Sequence, residues 1–391
     1  MNVLRLAWAY LAARPLLTAL HVLMLAIGVG TMVLLLLFTA QTEERLARDA
    51  RPVDLVVGAK GSPLQLILSA VLHVDVPTGN IPYEAARALG AHPMVAQAVP
   101  VSLGDSFRGF RIVGTEPAYL ALYGARPARG RIFAAPMEAV LGAEVALRTG
   151  LAAGAAFAGS HGLAAGAAHA AHPYNVVGVL APTGTVVDRL VVTSIESVWE
   201  VHEEHGTISP AAREITALLV RYRSPLAAAT LPRQVNATTV MQAAAPAYET
   251  ARLMNLVGAG ADAMRLFAIV LMATAAVSMF AALTAALQER RYDLALLRTL
   301  GARPSTLFAL LAAEGVTLVV AGVILGLALG HAAAEALGRW IARSNSWSIT
   351  GFAWVPQEIW VATAVLAAGI ATCMLPAIQA YRRDPAILLK R

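Results

Sequence analysis

The imidazoles cluster: the stretch Gly154 to His172 reads GAAFAGSHGLAAGAAHAAH and carries His161, His169 and His172, with His202 and His205 further along. Imidazoles at such spacing bind zinc or another transition metal. No cysteine reinforces the set and the spacing follows no standard zinc pattern, so the competing reading is a solvated, low-complexity loop in which the histidines are incidental. His202-Glu203-Glu204-His205 places its histidines three apart rather than the four of HExxH, which keeps both rings from one metal on a helix face. Val57 to Ser62, VGAKGS, resembles a phosphate loop only in part, because Lys60 precedes Gly61 instead of following the second glycine. No GxSxG elbow occurs. Nothing here supports an enzyme, and without Walker motifs the chain cannot hydrolyse ATP alone.

A second set of residues suggests chemistry of contact. Gln288 to Gly301 reads QERRYDLALLRTLG. Tyr292, Leu296, Leu297 and Leu300 fall near one helical face, Arg290, Arg291, Asp293 and Arg298 crowd the others, and Gly301 and Pro304 stop the helix. From composition alone, a partner groove and a surface of anionic lipid compete for this amphipathic segment.

The elements that must position these residues follow from hydropathy. With 58% hydrophobic and 14% charged residues, the chain is too apolar for an ordinary soluble protein and too charged to lie wholly in lipid. Four runs reach the roughly 20 residues a bilayer requires: Leu16 to Thr39, Leu266 to Leu287, Leu307 to Gly330 and Glu358 to Ala380. The first is too long for a signal-peptide core and reads as a retained anchor. Its lead-in, with Leu4, Trp8 and Leu11 at helical spacing before Pro15, is either a helix in the membrane interface or a plain helical extension.

Short flanks orient the spans. Arg5, Arg14, Arg290, Arg291, Arg298, Arg303, Arg382, Arg383, Lys390 and Arg391 fall on one side, against Arg339 and Arg343 on the other. Ten against two places both termini and the 288–306 loop in the cytoplasm. Trp340, Trp347, Phe352, Trp354 and Trp360 then gather at the outer headgroup layer. The net charge of +6 is thereby explained by the membrane and not by nucleic acid. Gly322, Gly326 and Gly330 form one flat helix face for close packing, within one subunit or between two. Glu314 and His21 lie shallow in their spans; Glu314 reads as a structural or coupling residue. Cys373, the single cysteine, has no partner for an internal disulfide and reads as a small packing residue.

Some 220 residues remain between the first and second spans, enough for one or two compact units. Strands are predicted over Val53 to Val57, Val95 to Leu103, Gly109 to Gly114, Tyr174 to Leu180, Arg189 to Thr193 and Ile215 to Tyr222, and helices over Pro82 to Leu89 and Pro225 to Val235. Without strict alternation this is an α+β domain. A helical pattern from about Ala247 runs into the second span as a stalk.

The expectation is an α-helical membrane protein of four transmembrane helices, with a large α+β extracytoplasmic domain inserted between helices 1 and 2. Its segments are an interfacial helix (1–15), helix 1 (16–40), the outer domain with stalk (41–260), helix 2 (261–287), a cytoplasmic loop (288–306), helix 3 (307–330), an outer loop (331–357), helix 4 (358–380) and a cytoplasmic tail (381–391).

Glu289-Arg290-Arg291 with Asp293 to Arg298 and Leu300-Gly301-Ala302 closely resembles the loop of FtsX-like permeases, membrane subunits of ABC systems related to lipoprotein-releasing and macrolide-exporting transporters. Glu314-Gly315 opening a glycine-rich span, the closing Pro376 with Ala380, Arg382, Arg383, Asp384, Pro385 and Ala386, and the order of spans match as well. The wording is specific from about Ala261 onward; the outer domain matches in architecture alone. The resemblance implies a permease homodimer in the bacterial inner membrane, working with a dimer of cytoplasmic ABC ATPases and sometimes a periplasmic adaptor. ATP and Mg would bind the partner and no cofactor this chain. Glu289, Arg290, Arg291, Asp293, Leu297, Arg298, Leu300 and Gly301 would form the ATPase-coupling helix, with Leu297 and Leu300 as apolar anchors. Motion would pass mechanically to the periplasmic domain to export or extract a substrate. The alternatives are a signalling permease that transports nothing and activates an outer enzyme, and a metal-handling or sensing membrane protein using the His-containing loop.

Overall fold

A computed structural model describes residues 3–162, 172–203, 213–289, 303–343 and 349–382. The chain divides into two compact units, one made of Met1–Thr42 with Val257–Arg391 and the other of Glu43–Leu256.

The helical unit is dominated by Pro15–Ala50, Pro246–Glu289, Pro304–Arg343 and Gln357–Arg382, called here the first to fourth long helices. Among the described residues these four are long and apolar enough to cross a membrane. The first three begin at a proline, whose missing N–H costs nothing at a first helical position. With 36 and 44 residues, the first two measure about 54 and 66 Å at 1.5 Å per residue. Both exceed a hydrocarbon core of about 30 Å, and their residues 43–50 and 246–256 count with the other unit. A separate helix, Val3–Ala12, precedes them and leaves Leu4 and Trp8 exposed.

Leu25, Val29, Val33 and Leu37 of the first helix pack with Ala275, Met279 and Leu283 of the second, Leu318, Val319 and Val323 of the third and Cys373 of the fourth. Cys373 is fully buried, with Sγ 3.5 Å from Met279 Sδ. The second helix turns Leu266, Phe267, Ile269, Val270 and Val277 outward. So much contiguous apolar surface is untenable in water and natural in lipid.

The second unit is built on one mixed sheet. Its strand order is Met241–Ala244, Leu55–Ala59, Ala217–Tyr222, Val95–Phe107, Phe110–Thr115, Leu190–Ser194, Glu138–Leu141, Tyr174–Leu180, Pro127–Gly130. Most neighbours are antiparallel; Phe110–Thr115 with Leu190–Ser194, and Glu138–Leu141 with Tyr174–Leu180, run parallel. The central strands Phe110–Thr115 and Leu190–Ser194 are buried throughout, as strands covered on both faces must be. At the margin, Pro127–Gly130 is exposed at every position, and its proline and Arg129 discourage further strand pairing.

Two apolar clusters sit toward opposite ends of this strand order. One joins Leu55, Val57, Leu218 and Val220 to Ala86, Leu231 and Val235 of helices Tyr83–Gly90 and Pro225–Thr238. The other gathers Phe110, Ile112, Leu141, Phe157, Tyr174 and Val191.

Candidate functional site

The helical unit holds a seam between its first and third helices. Gly322, Gly326 and Gly330 face Leu25, Val29 and Val33: a Cβ on Gly326 would stand 2.6 Å from the Val29 Cβ and 3.0 Å from the Ala26 carbonyl. A Cβ on Gly330 would meet Val33 Cβ at 2.7 Å and the Gly30 carbonyl at 2.9 Å, and one on Gly322 would meet Leu25 at 2.7 Å. The close approach is reciprocal, since Gly30 lies against the Gly326 carbonyl. Small residues thus let two backbones approach where lipid supplies no hydrophobic drive. The Ala26-x-x-x-Gly30 spacing was the available signal for the first helix's half of the seam.

At one end of this unit, Arg14 sits between Val3–Ala12 and the first long helix and forms an ion pair with Glu289 at the end of the second. Both are about half exposed, so the pair orients more than it stabilises. Nearby, His21 Nδ1 donates to the Leu17 carbonyl at 2.7 Å, and Nε2 lies 3.2 Å from the Ser278 hydroxyl. Buried Glu314 joins His21, Tyr10, Arg14 and Thr18 around a cavity of about 40 Å³. Its polar lining and size suit water. Of the residues expected to form a coupling helix, Glu289 is described; Arg290, Arg291, Asp293, Leu297, Arg298, Leu300 and Gly301 lie outside the described residues.

At the other end, Gln41 and Thr350 exchange two hydrogen bonds of 2.9 Å through the glutamine amide and the threonine backbone. Glu335 of the third helix accepts from the Gly351 N–H at 3.0 Å, the Thr350 hydroxyl at 3.2 Å and Arg339 Nε at 2.9 Å. The segment before the fourth helix is therefore tied to the first and third. Trp340, Phe352, Trp354 and Trp360 remain exposed around it, suited to a headgroup layer; Trp347 lies outside the described residues.

In the second unit, the C-terminal turn of the first long helix is clamped. Asp49, buried, accepts the Val186 N–H at 2.7 Å and faces Arg189 at 3.9 Å, while Arg48 donates to the Gly184 carbonyl at 3.3 Å. Asp188 shapes this turn by accepting from the Thr183 N–H and hydroxyl and the Gly184 N–H, each at 2.8 Å. Gly184 supplies the left-handed conformation, φ 70°, that a side chain would strain. Burial pushes the Arg189 guanidinium down from its ordinary value.

The same unit contains a cleft of about 720 Å³, lined on its apolar side by Leu46, Ala47, Ala50, Val53, Ala251 and Met254 and on its polar side by Glu43, Arg51, Asp54, Tyr222 and Asn255. Burial, aided by Asp54, pushes the Tyr222 phenol up to about 12, so it stays a neutral donor. This volume falls within the range of small-molecule pockets.

The incomplete phosphate loop is a strand end followed by a helix. Ser62 caps Pro63–Ala70 by accepting the Gln65 N–H, and the Gly61 N–H is already taken by Gln242 Oε1 at 2.9 Å. Of the histidines, His161 pairs through its backbone with Asp105, and His172 is partly buried. His169, His205 and the side chains of His161 and His202 lie outside the described residues.

Two family models match the chain: the MacB-like periplasmic core domain over residues 18–238 and the FtsX-like permease C-terminal domain over residues 265–383. No curated protein matches it. Among solved structures, the periplasmic region of MacB from Actinobacillus actinomycetemcomitans is 13% identical and aligns over 54% of this chain and 98% of its own, with a TM-score of 0.36. The extracellular domain of the noncanonic ABC-type transporter YknZ from Gram-positive bacteria is 14% identical over 49% of this chain and 98% of its own, with a TM-score of 0.31.

Proposed function

Because the chain belongs to the FtsX/MacB-type permeases of ABC transporters, we propose that it couples ATP hydrolysis by separate cytoplasmic ATPase subunits to motion of its α+β domain, exporting or extracting a substrate on the outer side. The observation that carries this reading is the succession of a MacB-like core and an FtsX-like C-terminal region in one chain, with the α+β unit following the first apolar helix in sequence and preceding the second.

The bias of arginines toward one set of flanks supports an inner-membrane orientation with the α+β domain in the periplasm. Two copies would work with an ATPase dimer that binds the ATP and Mg, and an adaptor would extend the path outward. Residues Glu289 to Gly301 would seat in a groove on the ATPase, with Leu297 and Leu300 as apolar anchors. The Arg14 pair to Glu289 supports this, because it fixes where the second helix hands over to that segment. Long helices that overshoot the bilayer are suited to carrying displacement to the outer side, and the mixed cleft is the place for an amphiphilic substrate to lodge.

The test is co-purification of the full chain with its ATPase. Replacing Leu297 and Arg298 together by Asp puts charge where apolar anchoring is expected and should abolish association, while insertion in the membrane is retained. Undiminished association would overturn the coupling assignment.

A further inference from the structure

His331 of the third long helix is engaged at both ring nitrogens. Nδ1 lies 2.6 Å from the Gly351 carbonyl oxygen and Nε2 lies 2.9 Å from Glu358 Oε2. Trp354 stacks on the ring at a centroid distance of 5.6 Å and an angle of 10°. A carbonyl oxygen has no proton to give, so Nδ1 carries the hydrogen in that bond. A neutral imidazole so protonated presents a lone pair at Nε2. Opposite an ionised carboxylate, two lone pairs would then face each other at hydrogen-bonding distance.

We propose that His331 and Glu358 form a proton-binding site between the third and fourth helices, holding one proton more than a neutral histidine and an ionised glutamate would. Imidazolium with carboxylate and imidazole with carboxylic acid are two descriptions of that same count. The proton bridges Nε2 and Oε2, and its loss breaks this bond or the one to Gly351.

The carboxylate cannot escape by turning to water. Glu358 is fully buried, and its other oxygen accepts the Val355 N–H at 3.0 Å. Its neighbours leave the balance to the proton. On the third helix Glu335 is neutralised by Arg339 and by the Gly351 N–H, and on the second Asp262 pairs with Arg265. Residues 349–356 carry no charged side chain, and the first helix presents neutral Gln41 to Thr350. Gly351 is shared by His331 and Glu335, so the proton also governs the segment that ties the first helix to the third and fourth. The inference rests on these contacts and not on the transport reading.

Glu358→Gln separates the possibilities. The amide oxygen can still accept from Val355 while the amide N–H donates to His331 Nε2, reproducing the bonded geometry without a titrating proton. Thermal unfolding of the full chain in lipid nanodiscs is followed between about pH 5 and 9, the range of histidine switches. The wild type should show a step in stability within this range that depends on the proton shared by Nε2 and Oε2. The E358Q chain should lack that step. The same step in E358Q overturns the proposal. Nitrogen-15 spectra of histidine-labelled wild type decide the matter even if the variant does not fold. A protonated Nδ1 with a proton shared at Nε2 is expected at low pH, and a bare Nδ1 at His331 there would refute it.

Discussion

Gly326 and Val29 are set so closely that a Cβ on the glycine would lie 2.6 Å from the Cβ of the valine, nearer than two such atoms can stand. The contact cannot be relieved by a rotamer change, because the Cβ is fixed by the backbone and the Ala26 carbonyl lies 3.0 Å away. Any side chain at 326 therefore separates the two helices.

Gly326→Leu should destabilise the helical unit by roughly 1 to 3 kcal/mol or more, the usual cost of forcing atoms into a packed interior. Thermal unfolding in detergent measures this. Pairing Gly326→Ala with Val29→Gly, which removes the facing Cβ, should recover part of the alanine variant's loss, and no recovery would mean that the pressure comes from the Ala26 carbonyl instead.

Asp49 joins a buried N–H to a buried guanidinium. Asp49→Ala orphans the Val186 N–H and removes the buried carboxylate that faces Arg189, and should cost about 3 kcal/mol, in line with removal of one partner from a buried pair. Asp49→Asn keeps an acceptor for Val186 and should cost less. Chemical denaturation of the full chain compares them; equal losses would assign the whole effect to the Arg189 charge.

Glu138 accepts from Arg131 and from the Ala134 and Ala135 N–H groups, and the Arg131 bond leads in lowering its pKa to about 2. A folded value below the ordinary 4.5 means that the contribution is complete above about pH 4.5 and is lost as pH falls toward about 2. Acid unfolding followed by circular dichroism should therefore be steeper in that window for the wild type than for Glu138→Gln. Identical acid profiles would show that the bonded carboxylate adds nothing to the acid limb.

The long apolar helices, and the α+β character of the residues between the first two, were readable because hydropathy and strand alternation are local properties. Tyr174–Leu180 shows inward residues at every second position and coincides with its predicted range. Other strands were invisible for physical reasons. Glu138–Leu141 is too short for a period to appear, Pro127–Gly130 has the composition of a turn, and Met241–Ala244 reads as alanine-rich filler. Their partners in the sheet select their conformation.

The same division runs through the candidate sites. Arginine bias, amphipathic spacing at Tyr292 to Leu300 and the glycine repeat at 322, 326 and 330 are written in single segments, so sequence alone determined the class of molecule and which helix face would be flat. Which helix would meet that face, the clamp of Asp49 on Val186, and the meeting of His331 with Glu358 were decided by tertiary structure. These contacts join groups 137 and 27 residues apart, or separate helices. No local pattern encodes them: a buried carboxylate takes its meaning from the donors that folding brings to it.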